Sequence, residues 1–431
     1  MNSYFEKLKS NVLIKVSSFN AIGVFVKMIT GVISLKVVAI FLGPEGLALM
    51  GNLRNVLTSI QSVGTLGLYN GVVKYIAEFK SNKEELTAML STTYLFCLTI
   101  TVILSAWLYF DPSFWNDLIF GNQYDYSFIF EAIAIALPFY SINTLCLAMI
   151  NGYSKYKIYI GINIASSLIG LLVTIFLVWE YRLEGAFIAI IINPAVSLII
   201  TIIVITKLKN FIKPLQFTKV SFKYMKRLSS YAIMALISAT VLPAILIRIR
   251  NTIINTEGAK EAGYWEAIQS ISSQYMFFIT TLLTIYLLPR LAEIRRSKDF
   301  RMEVINFYKT ILPVFVIGFL IIYFLRNIII KILFSNDFIA MEPLFLWQLF
   351  GDFFKITSLV IAYQFLAKRM FWYYIITEII SFGFLYLSSV YLINQFGFIG
   401  ASMAYFFNYV FYFLLLMLVF RKSFFGPDRS I

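Results

Sequence analysis

Not one histidine occurs in the 431 residues, and cysteine is limited to Cys97 and Cys146. The first absence removes imidazole acid–base catalysis and histidine proton relays. Two cysteines, each inside an apolar run, supply neither a disulfide framework nor a thiolate metal site, so no metal and no cofactor is expected. Charge is scarce as well: Asp, Glu, Lys and Arg make up 13% of the chain, against about 25% in soluble domains. There is no glycine-rich phosphate loop and no G-x-x-x-x-G-K-[ST] motif, which leaves ATP hydrolysis without machinery. The longest polar stretches, 110–125 and 207–227, are too short to form an enzymatic domain and carry no catalytic pattern. A polymerase or glycosyltransferase is therefore disfavoured.

Apolar side chains fill the space left by charge. The chain is 60% hydrophobic with 43 Phe and 27 Tyr, and its mean hydropathy is +0.81. A water-soluble fold has no place to bury that much apolar surface, whereas a bilayer takes it readily. Twelve runs are long enough to span one, which needs roughly 20 residues. They cover 12–42, 46–77, 87–109, 126–151, 156–179 and 183–206, then 228–254, 262–289, 303–325, 341–367, 371–393 and 398–420. Gly51, Gly64, Gly67 and Gly71 interrupt the second. The first continues to Leu42, longer than the core of a signal peptide, and is expected to be a retained helix.

A net charge of +14 would suggest nucleic acid in a soluble protein. Here the basic residues lie in short segments between apolar runs and orient the chain instead, so no nucleic-acid partner is expected. The N-terminus, the C-terminus and the segments after even-numbered runs hold 24 Lys and Arg, and the opposite side holds six: Arg182, Arg248, Arg250, Lys260, Arg326 and Lys331. Both termini are thus expected in the cytoplasm.

The chain also resembles itself at an offset of roughly 215 residues. Phe120-Gly-Asn-Gln-Tyr124 answers Phe334-Ser-Asn-Asp-Phe338, Lys155-Tyr-Lys157 answers Lys368-Arg-Met370, and Leu183-Glu-Gly-Ala186 answers Phe398-Ile-Gly-Ala401. Six helices per repeat is an even number, so the halves insert with like orientation. The expected fold is an all-α polytopic membrane protein with 12 transmembrane helices in two like-oriented six-helix bundles around a central cavity. Its parts would be a lobe at 1–209, a basic cytoplasmic linker at 210–227 and a lobe at 228–431. Two such bundles suit alternating access, hence transport.

Several runs carry charges that cost about 2.5–3.5 kcal/mol each at the bilayer centre. Asn20, Lys27 and Ser34 recur every seven residues in the first run. Arg54 is followed by Thr58, Gln61 and Thr65 on one face of the second. Further on come Arg248 and Arg250, then Glu266 with Gln269, Ser270 and Ser273. The tenth run spaces Gln348, Asp352 and Lys355 at i, i+4 and i+7, and the eleventh holds Glu378. Lys27 and Arg54 have no acidic neighbour in sequence and suit an anionic headgroup, with Arg248 as a further cation; a diphosphate needs such compensation to leave water. Asn20, Gln61, Glu266, Gln348, Asp352, Lys355 and Glu378 are candidates to face a saccharide or to couple an ion. The alternatives stay open: Lys15 and Lys36 snorkel, Arg248 and Arg250 reach an interface, and Asp352 and Lys355 form a structural ion pair.

Phe41-Leu-Gly-Pro-Glu-Gly-Leu47, Asn52-Leu-Arg-Asn55, Gly67-Leu-Tyr-Asn-Gly-Val-Val-Lys-Tyr-Ile-Ala77, Tyr286-Leu-Leu-Pro-Arg-Leu291 and Trp347-Gln-Leu-Phe-Gly-Asp-Phe-Phe-Lys355 carry a likeness running from about residue 12 to 421. In these stretches the chain resembles the Wzx-type flippases of the multidrug/oligosaccharidyl-lipid/polysaccharide exporter superfamily, among them the common-antigen lipid III flippases and O-antigen translocases. The resemblance implies a MATE-like two-lobed fold with a cationic interior in the inner membrane. It also implies ion-driven transport of undecaprenyl-diphosphate-linked repeat units from the cytoplasmic to the periplasmic leaflet. Membrane lipids, and polymerase and chain-length proteins of the same pathway, are the implied partners. Lys27, Arg54, Lys74, Arg248, Asp352, Lys355 and Glu378 stand where such relatives carry similar charge, and Glu266 departs from them. A multidrug exporter of the same superfamily would place acids rather than Lys27 and Arg54 in the first half. A flippase for another lipid-linked precursor, such as lipid II or a teichoic-acid unit, shares the diphosphate end and stays open.

Overall fold

A chain whose solvent is hydrocarbon must satisfy its backbone internally, which leaves helices as the simplest answer. The computed structural model describes residues 12–79, 82–122, 124–207 and 220–427; of 12–20, 222, 226–228, 230 and 231 it describes the backbone alone. Among the described residues there is no β-strand. In chain order the helices are α1 (Val12–Gly64), α2 (Tyr69–Glu78), α3 (Lys83–Phe110), α4 (Pro112–Phe120), α5 (Ser127–Gly152), α6 (Tyr156–Thr206) and α7 (Phe222–Thr256). They continue as α8 (Ala259–Leu282), α9 (Leu288–Glu293), α10 (Ser297–Phe324), α11 (Arg326–Leu333), α12 (Leu344–Ala367), α13 (Phe371–Phe396), α14 (Phe398–Val419) and α15 (Arg421–Phe425). Ten helical stretches in the described residues are long and apolar enough to cross a membrane.

Two of the expected loops are missing. The first two apolar runs form one helical stretch of 53 residues, broken only at Gly43 (φ 65°, ψ −169°) and followed at once by Pro44. Glycine accepts that left-handed φ without penalty, and proline cannot donate to the preceding turn. The 51-residue α6 breaks the same way at Arg182 (φ 49°, ψ −122°). Each half of α1 and α6 is long enough to cross a bilayer by itself. The second run, expected to reach residue 77, ends at Gly64; a turn through Leu66 and Gly67, both at positive φ, precedes α2. The segment 110–125, expected as a polar loop, contains α4, opened by Pro112 at its first position.

By packing, the chain falls into two compact units, Met1–Val37 with Leu53–Pro243 and Val38–Asn52 with Ala244–Ile431. Packing thus groups a short piece of α1 with the second half of the sequence. Residues 210–219 of the expected linker lie outside the described residues. The first unit packs Leu68, Ile76, Leu86, Met89, Cys97 and Ala148 into its core. The second packs Ile279, Leu287, Phe300, Ile356, Phe365 and Leu416. Polarity is inverted relative to a soluble protein: Phe110, Phe324 and Trp372 are 70% or more exposed, while Gln348 and Asp352 are fully buried.

The second unit depends on a close helix crossing. Gly351 of α12 lies against α14, where a Cβ would run into the Tyr405 ring and come within 3.2 Å of the Phe406 Cα. Gly351→Val is expected to force the two helices apart at a cost of about 1–3 kcal/mol. A lowered thermal midpoint in detergent, read by size-exclusion recovery after heating, checks this; an unchanged midpoint would contradict the packing.

Candidate functional site

The densest polar cluster in the second unit centres on Asp352. The i, i+4, i+7 spacing puts Gln348, Asp352 and Lys355 on one face of α12. Ser272 and Tyr275 of α8 meet them from a second helix, and Tyr405 and Tyr409 of α14 from a third. Asp352 is fully buried. Its carboxylate accepts from Ser272 Oγ at 2.8 and 2.9 Å, from Tyr405 OH at 2.7 Å and from Tyr275 OH, with Gln348 Nε2 more distant at 3.4 Å. Gln348 in turn accepts from Gln269 Nε2 at 3.0 Å. Lys355 Nζ donates to Tyr405 OH at 3.1 Å and sits 5.4 and 5.2 Å from the Tyr405 and Tyr409 ring centres.

Tyr405 therefore bridges the acid and the base, donating to one and accepting from the other. Two charges on adjacent turns of a helix are tied through a phenol from another helix. Charge-assisted bonds of this kind, shielded from water, hold a three-helix junction more firmly than neutral ones. Glu378, half-buried on α13, borders this hub, within electrostatic reach of Lys355 and Tyr409, and accepts from Tyr412 OH at 2.9 Å.

Glu266 is paired elsewhere. It is 7% exposed and forms an ion pair with Arg250 of α7, itself 2% exposed. Arg248, two residues earlier, is exposed.

In the first unit, Lys27 is exposed on the first half of α1, and Arg54 and Gln61 are half-buried on its second half. At 1.5 Å per residue, Lys27 and Arg54 lie roughly 24 and 16 Å of helix from the break at Gly43. Thr58 and Thr65 donate to the carbonyls of Arg54 and Gln61, both at 2.8 Å, so their hydroxyls are used within the helix. Gln61 lines a small cleft with Leu57, Tyr140 and Pro194. The side chain of Asn20 lies outside the described residues. Deeper in this unit a neutral network links Thr201 to Asn143 (2.8 Å) and Asn143 to Ser197 (3.0 Å).

Sequence reasoning passed over Asn52, Asn251, Tyr275, Tyr405, Tyr409 and Tyr412. The last three recur at i, i+4 and i+7 on α14. That helical spacing was the available signal, hidden among 27 tyrosines that read as apolar bulk.

Apolar spans that bury hydrogen-bonded charges define a polytopic helical membrane protein of the transporter kind. The chain belongs to the family described as polysaccharide biosynthesis protein, which matches residues 13–295. It is 31% identical over 413 residues to the lipid III flippase of Escherichia coli (strain K12), covering 95% of this chain and 98% of that protein. A putative O-antigen transporter of Shigella flexneri is 26% identical, over 91% of this chain and 94% of its own length. Among solved structures, an inward-facing multidrug resistance MATE family transporter of the MOP superfamily superposes with a TM-score of 0.76 at 12% identity, over 92% of this chain and 95% of that one. The lipid II flippase MurJ in an inward closed conformation gives 0.73 at 16% identity, over 94% and 88%. The fold is thus the one shared by these exporters and flippases.

If Tyr405 couples Asp352 to Lys355, its loss and the loss of Lys355 are not independent. Tyr405→Phe, Lys355→Met and the double variant are expected to show a coupling energy of about 0.5–3 kcal/mol in thermal stability. Strict additivity would break the bridge as described.

Proposed function

We propose that this chain is a flippase for a polyprenyl-diphosphate-linked oligosaccharide. One observation carries the reading: 31% identity to a lipid III flippase, sustained over nearly the full length of both proteins. The cargo's diphosphate gives the inner cations a role. Lys27 and Arg54 bind it, the arginine through paired N–H donors and the lysine as a point charge. Asn20 and Gln61 would hydrogen-bond sugar hydroxyls beside them. In the second unit Arg248 is a further cation accessible to an anion, and Gln348, Asp352, Lys355, Glu378 and Glu266 make up the polar interior from which ion coupling would draw.

Breaks at Gly43 and Arg182 support a reading of twelve crossings, six on each side of the segment 210–227. The excess of Lys and Arg on one side supports an inner-membrane protein with both termini in the cytoplasm. Transport would then run from the cytoplasmic to the periplasmic leaflet, with an undecaprenyl carrier. Polymerase and chain-length proteins of the same pathway would take up the product. The cations of the first half argue for this cargo over an organic cation.

Liposomes carrying a labelled polyprenyl-diphosphate oligosaccharide test the reading. The wild-type chain is expected to exchange the lipid between leaflets, and Arg54→Ala and Lys27→Ala each to slow exchange roughly tenfold or more, the loss of one charge-assisted contact. Exchange that survives both substitutions would remove the proposed diphosphate site. Efflux of an organic cation with no lipid exchange would replace the flippase reading by that of a drug exporter.

A further inference from the structure

The second unit includes a segment that it does not own by sequence. Val38–Asn52 packs with Ala244–Ile431, yet both its ends, at Val37 and Leu53, are joined by peptide bonds to the first unit. It therefore acts as a strap. Leu47, Ala48, Met50 and Asn52 are essentially unexposed along it.

The strap is fastened at its end by a compact polar cluster. Arg250 Nη1 donates to Asn52 Oδ1 at 2.6 Å, and Asn52 Nδ2 donates to Asn251 Oδ1 at 2.9 Å. The other guanidinium arm pairs with Glu266, which also accepts from Ser270 Oγ at 3.4 Å. Arg250 is further held against the Trp265 ring, 5.4 Å from its centre. Backbone contact is equally close. A Cβ on Gly51 would sit 2.5 Å from the Glu266 carboxyl and 2.8 Å from Arg250 Cζ, and one on Gly263 would run into the Pro44 carbonyl.

The cluster is nonetheless incompletely satisfied. Arg250 Nε and Trp265 Nε1 are buried with no hydrogen-bond partner among the described residues. Buried donors without acceptors carry a desolvation penalty that any state admitting water recovers. A tight fastening that hides two unmet donors is suited to opening as well as to holding.

We propose that Asn52, Arg250 and Glu266 form a lock on the strap, closed in the state seen here and released when the transporter exchanges access. The strap is joined to the first unit at both ends, so its release parts Asn52 from Arg250 and Asn251. These three are positioning residues: they hold no cargo and set which state is favoured. The lock rests on the reading of the chain as a two-state transporter, and its test needs no cargo, so the two readings fail separately.

The test uses the full chain in lipid nanodiscs with Cys146→Ser and Ala48→Cys. Ala48 lies one helical turn before Asn52 and is unexposed, and the native Cys97, buried in the first unit, reports on general unfolding. Maleimide labelling at both positions is followed by peptide mass. With the lock intact, both label slowly. Glu266→Ala and Arg250→Ala are each expected to raise labelling at position 48 about tenfold while Cys97 stays protected, since a buried charge has lost its partner. Asn52→Ala, which removes hydrogen bonds but no charge, is expected to raise it about threefold. An unchanged rate at position 48 overturns the lock. A rate that rises only together with that of Cys97 does so too, because the pair would then stabilise the fold at large.

Discussion

A carboxylate inside a membrane span can be kept only if the chain itself replaces the water it has lost, and Asp352 shows how complete that replacement has to be. Hydroxyls from two neighbouring helices and an amide from its own helix converge on it, and one of the phenols passes the contact on to Lys355. The same shortage governs lesser groups. Thr58, Thr65, Thr92 and Thr201 each turn a hydroxyl back to the carbonyl four residues earlier, which satisfies both without help from solvent. The arrangement of helices α8, α12 and α14 follows from where those donors had to stand.

The two units use polarity differently. In the second, Asp352 and Lys355 meet through Tyr405, and Glu266 meets Arg250 directly, so these buried charges are met within the unit. In the first, the deep network of Asn143, Ser197 and Thr201 is neutral, and Lys27 reaches an accessible surface. Internally matched charges fix helices in place.

The membrane class and the approximate runs were legible because bilayer thickness sets the length of an apolar helix and leaves little freedom. The Asp352 face was legible too: a spacing of i, i+4, i+7 permits no arrangement other than one helical face. The partners of that face were not, since a helix period says which side chains share a surface and never which helix lies opposite. Tyr405 and Tyr412 have no assignment until α14 is seen against α12 and α13. Thr58 and Thr65 were expected to line a polar stripe, and a helix period does not show that their hydroxyls also bond the carbonyls four residues earlier. Glu266 was read as facing a saccharide or coupling an ion, and its ion-pair partner Arg250, on another helix, could not be seen from the helix period. The helices on either side of Gly43 and Arg182 run unbroken up to single residues at positive φ, which composition does not reveal.

That continuity has a consequence for rotation. Between Gly43 and Asn52 the chain is unbroken helix, and it runs on through Arg54 and Gln61 to Gly64. An α-helix turns about 100° per residue, so adding or removing one residue in this stretch would swing everything beyond it by more than a quarter turn. Asn52 would leave Arg250, and in the same motion Arg54 and Gln61 would leave the face they now share. The fastening of the strap and the aim of the second span's polar stripe are therefore geared to one shaft, and neither can be re-cut without the other.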